Sequence, residues 1–299
     1  HSFPTRRSSD LQASADKGVD MKDHFFDVPR TSVMTTQGRV DLPMFFYDVS
    51  ARIINFFIEA GKTLPMLEGT GLEPVRFFSS KALVSLAFLQ YREVSIGGYD
   101  EVFITIMVVP KVSTKPRFPQ ANFLRLRGER WTMGGYVLEM PVTSPRARAA
   151  GREIWGYPKF ETEISFRLSG RHFDYKVLDP ESGETLLAVS ATETLGMKLP
   201  AFDMVSFGNH DEKILKTITE VDGAYRNCRV KDVRIEIGRS DHRLARNARE
   251  LGLDTARPWG AMCSDALRTK LHPGVPVAEH ETPPMPYAVE GEGWAKTLP

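Results

Sequence analysis

The sequence predicts a strand-rich α+β fold, mostly antiparallel, with a few helices packed on sheets. Three observations carry this reading. Segments dense in β-branched and aromatic residues, or alternating apolar and polar, outnumber segments with a helical stripe. Two pairs of these segments are separated by turn sequences and read as hairpins. Strands and helices do not alternate regularly, which argues against a doubly wound parallel sheet.

Taken along the chain, the first regular pattern is Ser50–Ala60. It reads as a helix, with Ser50 as N-cap, Gly61 as stop and Ile53, Ile54, Phe57 and Ile58 on one face. Ala82–Glu93 and Glu101–Val109 follow as two strands joined by the turn-like Ser95-Ile96-Gly97-Gly98-Tyr99-Asp100. Ser144–Trp155 is a second helix, with Ser144 as N-cap and Pro145 at the first helical position. Phe160–Leu168 alternates as one strand. Arg171–Leu178 and Glu184–Thr194 form a hairpin across Asp179-Pro180-Glu181-Ser182-Gly183, and Cys228–Gly238 is a further alternating strand. Ser240–Leu251 is a third helix, with Leu244 and Leu251 on its apolar side and Arg243, Arg246 and Arg249 on its outer face.

The ends differ from this body. His1–Leu11 reads like a translated adapter fragment and has no apolar core of a secretory signal, so residues 1–20 are set apart as a non-native or disordered leader before Met21. Residues 21–275 read as a single domain. Residues 276–299, rich in Pro, Gly and Glu, read as a tail that wraps the surface or stays disordered.

Composition narrows the function classes. The chain has 299 residues, 41% of them hydrophobic, and a net charge of +1, so nothing draws it to nucleic acid or to an anionic membrane. No segment reaches the roughly 18 apolar residues of a membrane-crossing helix. Two cysteines, Cys228 and Cys263, give neither a disulfide framework nor a zinc spacing. One bridge between them stays open, and a reduced cytoplasmic chain is the expectation. His24, His210, His242 and His272 are isolated; His210-Asp211-Glu212 reads as a polar loop, and Lys81, Lys111 and Lys115 as solvated strand flanks.

The densest chemistry lies in Gly151-Arg152-Glu153-Ile154-Trp155-Gly156-Tyr157-Pro158-Lys159-Phe160. Tyr157, preceding a proline, is pushed out of the helical region, so the helix stops near Gly156 and a strand starts near Lys159. A rigid helix-to-strand junction then holds one lysine among Trp155, Tyr157 and Phe160. A free lysine is almost fully protonated at neutral pH, with a pKa of ~10.4, but an apolar setting favours the neutral amine, which can attack a ketone carbon. The residues alone allow a second reading. In a continuous strand Lys159 shares its face with Glu161, Glu163 and Arg167, as on a solvated surface.

This segment resembles the active-site region of the acetoacetate decarboxylase family, whose members carry a Gly-Arg-Glu-x-x-x-Tyr-Pro-Lys pattern. The match runs back without gaps to Tyr136-Val137-Leu138-Glu139-Met140, and weaker similarity extends from about Arg39 to Pro273. The resemblance implies sheets closing around a cavity as a β-cone or barrel. It also implies a Schiff base on Lys159 and a homo-oligomer. The family enzyme is the standard example of a lysine activated by desolvation or a cationic neighbour. Glu101, in Gly98-Tyr99-Asp100-Glu101, matches a family glutamate that orients substrate and handles a proton. Arg39 matches an arginine that points to the site and would hold a carboxylate. Tyr157, Trp155, Phe160 and Leu86 are the implied substrate-pocket residues, with Arg152, Glu153 and Pro158 structural near the site, Arg152 and Glu153 as a helix-anchoring ion pair.

The implied activity is decarboxylation of a small β-keto acid such as acetoacetate, without metal or organic cofactor. Two positions depart from the pattern. Phe160 stands where the named enzyme has a second lysine, and Leu86 where it has a second glutamate. Both leave room for aldol or dehydration chemistry through the same imine; a non-catalytic small-molecule binder is a further alternative, against which the intact Lys159 argues.

Overall fold

The computed structural model describes residues 24–78, 80–113, 119, 127–211, 213–279 and 296–297. The leader, Lys115, Glu212 and most of the tail lie outside the described residues. Strands come first: β1 (Thr31–Thr35), β2 (Gly38–Leu42), β3 (Met44–Glu59), β4 (Leu72–Pro74), β5 (Lys81–Val94), β6 (Tyr99–Pro110) and β7 (Gly134–Val142). Helix α1 (Pro145–Trp155) leads into β8 (Lys159–Glu161), β9 (Ile164–Ser169), β10 (His172–Leu178) and β11 (Thr185–Glu193). Then come β12 (Met197–Pro200), β13 (Met204–His210), β14 (Lys213–Cys228) and β15 (Val230–Ile237), helix α2 (Arg243–Leu251), β16 (Pro258–Leu271), β17 (Val275–Glu279) and β18 (Lys296–Thr297). Among the described residues no helix is long and apolar enough to cross a membrane.

The largest sheet closes on itself. Its order β6-β5-β3-β16-β14-β13-β7 returns to β6 through the β6–β7 pairing, giving a seven-stranded barrel. Only the β13–β7 pair in that ring is parallel. A second, four-stranded antiparallel sheet, β15-β11-β10-β9, lies against the barrel wall. Phe88 of β5 stacks on Phe166 of β9 and Tyr175 of β10, at ring-centroid distances of 4.2 and 5.5 Å. The strand-rich fold closing around a cavity is as the sequence predicts.

This double cover explains one misreading. Residues 50–60 are not a helix; they are the far half of β3. A strand with water on one face alternates, but one buried on both faces is apolar throughout. Ile54 and Phe56 point outward to the second layer and Ile53 to the barrel interior, so the run mimics a helical stripe. Its β-branched and aromatic content favours the strand. The predicted strand over 160–168 is also two strands. β8 runs parallel to β7 in the barrel, whereas β9 belongs to the second sheet, with the break at Thr162-Glu163. Face-sharing along 159–167 therefore does not apply, and Lys159 is buried while Glu161 is exposed.

The two hairpins, β5–β6 and β10–β11, form as read. α2 starts later than predicted, at Arg243, because His242 Nδ1 accepts from Leu244 N and caps it. Ser240 instead donates to Asp179. Arg246 and Arg249 are exposed as expected, but Arg243 turns inward. Its Nε is 2.6 Å from Glu139 Oε1, which also accepts from Asn247 Nδ2 at 2.5 Å. Glu139 of β7 is wholly buried, so a single carboxylate docks α2 on the barrel. Past the predicted domain end at 275, β17 continues the sheet by pairing with β14.

Glu139→Ala leaves the Arg243 and Asn247 donors facing apolar wall. It is expected to cost roughly 3–5 kcal/mol, the usual loss when one partner of a buried pair is removed, read as a lowered midpoint in urea denaturation. An unchanged midpoint would show that this carboxylate does not hold the helix.

Candidate active site

Helix α1 ends where the sequence places its stop. Ser144 Oγ caps its start by accepting from Ala147 N at 3.3 Å. Gly156 takes the left-handed conformation at φ 66°, and its N–H donates to the Arg152 carbonyl. A Cβ at Gly156 would meet the Asn209 carbonyl oxygen at 2.0 Å, so the turn needs glycine for space as well as for φ. Tyr157 N donates to the Gly151 carbonyl at 2.9 Å, and the chain passes through buried Pro158 into β8. Arg152 reaches across the junction, its Nε donating to the Lys159 carbonyl at 2.5 Å. Glu153 accepts from the backbone and hydroxyl of Thr36, tying the helix to the β1–β2 turn. The resemblance implies an ion pair between these two residues; the contacts seen run separately, from Arg152 to the Lys159 carbonyl and from Thr36 to Glu153.

The Lys159 side chain lies across Gly151. A Cβ there would stand 2.3 Å from Lys159 Cδ and 2.5 Å from Cε, so the glycine is the seat of the lysine stem. Beyond that seat Nζ comes to 2.6 Å from Glu101 Oε2 and 5.4 Å from the centre of the Tyr99 ring. Both ionisable groups are buried, Lys159 at 5% and Glu101 at 3% exposure. The other carboxylate oxygen accepts from Tyr91 OH at 3.1 Å. Burial first, and the nearby Glu101 carboxylate second, push the Tyr91 and Tyr99 phenols well above their usual range. Burial pushes Tyr157 up to about 12, and its hydroxyl shares a 2.7 Å hydrogen bond with Ser206. These phenols stay neutral at physiological pH and offer hydroxyls without charge.

Lys159, Glu101, Tyr91, Tyr99, Tyr157 and Ser206 all face one cavity of about 1130 Å³ inside the barrel. The arrangement is an amine within proton-transfer reach of a carboxylate, in a largely apolar chamber. Such a pairing offers a nucleophilic amine a base to take its proton in largely apolar surroundings.

Four other expected pocket residues lie elsewhere. Arg39 is on the outside of β2, with a side chain 63% exposed and Nε 2.9 Å from Asp41; its neighbours Val40 and Leu42 take the buried positions. Leu86 has outward parity on β5, beside Ile54 and Ile104, and packs against the second layer. Phe160 also faces that layer, its ring 4.6 Å from that of His242. Trp155 backs Tyr157 in a stacked pair at 6.1 Å and donates from Nε1 to the His272 carbonyl. It supports the cavity wall without lining it.

Tyr91, Tyr99 and Ser206 are members of the site that sequence reading did not select. Tyr99 shares strand parity with Glu101, and Tyr91 is its direct cross-strand partner, so the hairpin alternation carried that signal. Nothing near Ser206 in sequence marks it.

The one group of metal-type ligands among the described residues is Glu193, Cys228 and Cys263. The thiols are free and buried. Glu193 is held by Arg52 at 2.7 Å and by Arg226, two guanidiniums that oppose a divalent cation there. His210 contacts the Glu153 carbonyl, at 2.9 Å from its Nε2.

Comparison with known proteins identifies the family and the fold. The family model described as acetoacetate decarboxylase matches residues 30–236. No curated protein matches the chain. Among solved structures, acetoacetate decarboxylase from Legionella pneumophila subsp. pneumophila str. Philadelphia 1 superposes with a TM-score of 0.58 at 14% identity, over 79% of this chain and 88% of that one. The enduracididine biosynthesis enzyme MppR, complexed with the condensation product of pyruvate and imidazole 4-carboxaldehyde, gives 0.54 at 12% identity, over 78% and 89%. An acetoacetate decarboxylase-like enzyme from Sphingomonas wittichii RW1 gives 0.51 at 12%, over 78% and 92%. At such identities the likeness is one of fold.

The Gly151 seat makes a sharp expectation. Gly151→Ala keeps the helix, since alanine is the better helix former, but displaces the lysine stem. Amine-directed labelling of Lys159 should change and turnover of any imine-forming substrate should fall by about 10²-fold, the size of loss caused by a misplaced reacting group. Retained turnover in a folded Gly151→Ala protein would show that the lysine is not held by this contact.

Proposed function

Because the chain belongs to the acetoacetate decarboxylase family, we propose that it is an enzyme forming a Schiff base through Lys159, and that it decarboxylates a β-keto acid. The observation that carries this reading is the 2.6 Å contact between Lys159 Nζ and Glu101, both buried at the cavity wall.

Glu101 takes a proton from the ammonium, and the neutral amine adds to the ketone carbon of the substrate. Loss of water from the carbinolamine gives a protonated imine. The bond from the α-carbon to the carboxylate breaks, its electron pair moves toward the iminium nitrogen, and carbon dioxide leaves behind an enamine. Protonation at carbon, with Glu101 beside the nitrogen and the Tyr91 hydroxyl holding that carboxylate in place, restores the imine. Water then adds, the ketone departs and the amine is regenerated. One proton is consumed overall. The apolar walls assist because they favour the charge-dispersed transition state over the free carboxylate. The neutral tyrosine hydroxyls provide hydrogen bonds for the substrate carboxylate in place of Arg39, which is turned to solvent.

That same absence of Arg39 from the cavity favours a second reading, in which the imine feeds aldol or dehydration chemistry without loss of carbon dioxide. The bound condensation product of MppR is in keeping with this alternative.

Borohydride reduction in the presence of acetoacetate, followed by peptide mass spectrometry, is expected to leave the reduced adduct on Lys159 and none in Lys159→Ala. An unmodified Lys159 with every keto acid tried would refute imine formation. Trapping with no carbon dioxide evolved would select the second reading. Glu101→Gln should retain binding and lose about 10²–10⁴-fold in kcat, as for a general acid–base group.

A further inference from the structure

The chamber holding Lys159 is much longer than the chemistry at its end requires. Strand register arranges its wall in layers. Glu101 of β6 faces Leu89 of β5 at the lysine end, and farther along Thr105 faces Ser85, which in turn faces Asn55 of β3. Met107 and Phe57 follow. From Glu101 to Met107 the wall runs six residues along β6, about 20 Å of strand at 3.3–3.4 Å per residue and roughly 15 Å along the barrel axis once strand tilt is taken into account.

The far end is a collar of rings. Phe57 lies 5.6 Å from Phe77, 5.0 Å from Phe78 and 5.3 Å from Trp259. Phe78 and Trp259 are 63% and 64% exposed and also border the cavity, so a largely apolar wall, interrupted by the Thr105–Ser85–Asn55 layer, leads from the protein exterior toward the amine. Apart from Lys159 and Glu101, the one charged residue in the described lining is Arg229, which is exposed and lies off β3, β5 and β6. In its polar layer of Thr105, Ser85 and Asn55, Ser85 Oγ donates to Asn55 Oδ1 at 2.7 Å. A volume of about 1130 Å³ is above the range of roughly 300–1,000 Å³ that encloses a drug-sized ligand. Acetoacetate would occupy a small part of it and touch none of the distant wall.

We propose that the substrate is a β-keto acid bearing an extended alkyl chain, with its ketone at Lys159 and its chain lying along the barrel toward the Phe57–Trp259 collar. This rests on the Schiff-base reading of Lys159 and adds to it the class of substrate. The reaction converts R–CO–CH₂–COO⁻ and one proton into R–CO–CH₃ and carbon dioxide, with the water lost at imine formation returned at hydrolysis. The product is a long-chain methyl ketone, neutral and apolar, and the collar offers it a matching way out.

The test is kcat/KM for straight-chain β-keto acids of increasing length, with borohydride trapping at Lys159 run on each. The wild-type protein is expected to gain roughly fourfold per added methylene, the equivalent of about 0.8 kcal/mol, until the chain reaches the collar. Thr105→Trp, which fills the middle of the chamber, is expected to collapse the ratio of long-chain to short-chain kcat/KM. The wild-type series decides by itself should that variant fail to fold. Trapping at Lys159 with kcat/KM flat or falling as the chain lengthens overturns the long-chain assignment and leaves the Schiff-base reading standing. No adduct at any length overturns both.

Discussion

The structure is organised around one costly arrangement, an ammonium and a carboxylate drawn out of water and held 2.6 Å apart. Desolvating two such groups costs several kcal/mol each, and their attraction offsets that only when the geometry is tight and the remaining polar atoms are satisfied. The surroundings provide this. Tyr91 satisfies the second oxygen of Glu101. Arg152 fixes the backbone of Lys159, and Gly151 leaves the hollow in which its stem lies. Glu101 is fixed independently, by a strand paired on both sides in the barrel wall. The two groups arrive from unrelated parts of the chain, 58 residues apart, and neither can leave without unpairing the other.

Much of this was legible in the sequence, for physical reasons that differ by element. The stop at Gly156-Tyr157-Pro158 is written in local stereochemistry: a left-handed glycine, then a residue before proline. The hairpins are legible because their turns and alternation are local. The burial of Lys159 was not legible from its own strand, because that strand passes from one sheet to the other within a few residues. Only the family pattern around it pointed inward.

The misreadings share a cause. β3 looked helical, and Leu86 looked like a pocket residue, because the barrel wall is apolar on both faces and pattern alone does not say which face meets the cavity. Parity decides it once the register is known. Odd positions of β5 such as Ser85 and Leu89 face inward, and Leu86 faces out. Arg39 lies where the family similarity is weaker. Its strand, β2, pairs with β1 in a separate sheet, outside the ring.

Closure of that ring has a consequence for traffic. An enzyme with its site in a cleft between two lobes admits and expels ligands by swinging the lobes apart. In this cylinder of seven strands every neighbour is paired, by long ladders except at β13–β7, where two residue pairs meet. The rings of Phe57, Phe77, Phe78 and Trp259 border the exposed end of the cavity. On the proposed reading of Lys159, selectivity would be divided between two places: the amine selects what reacts, and the rings at the mouth select what reaches it.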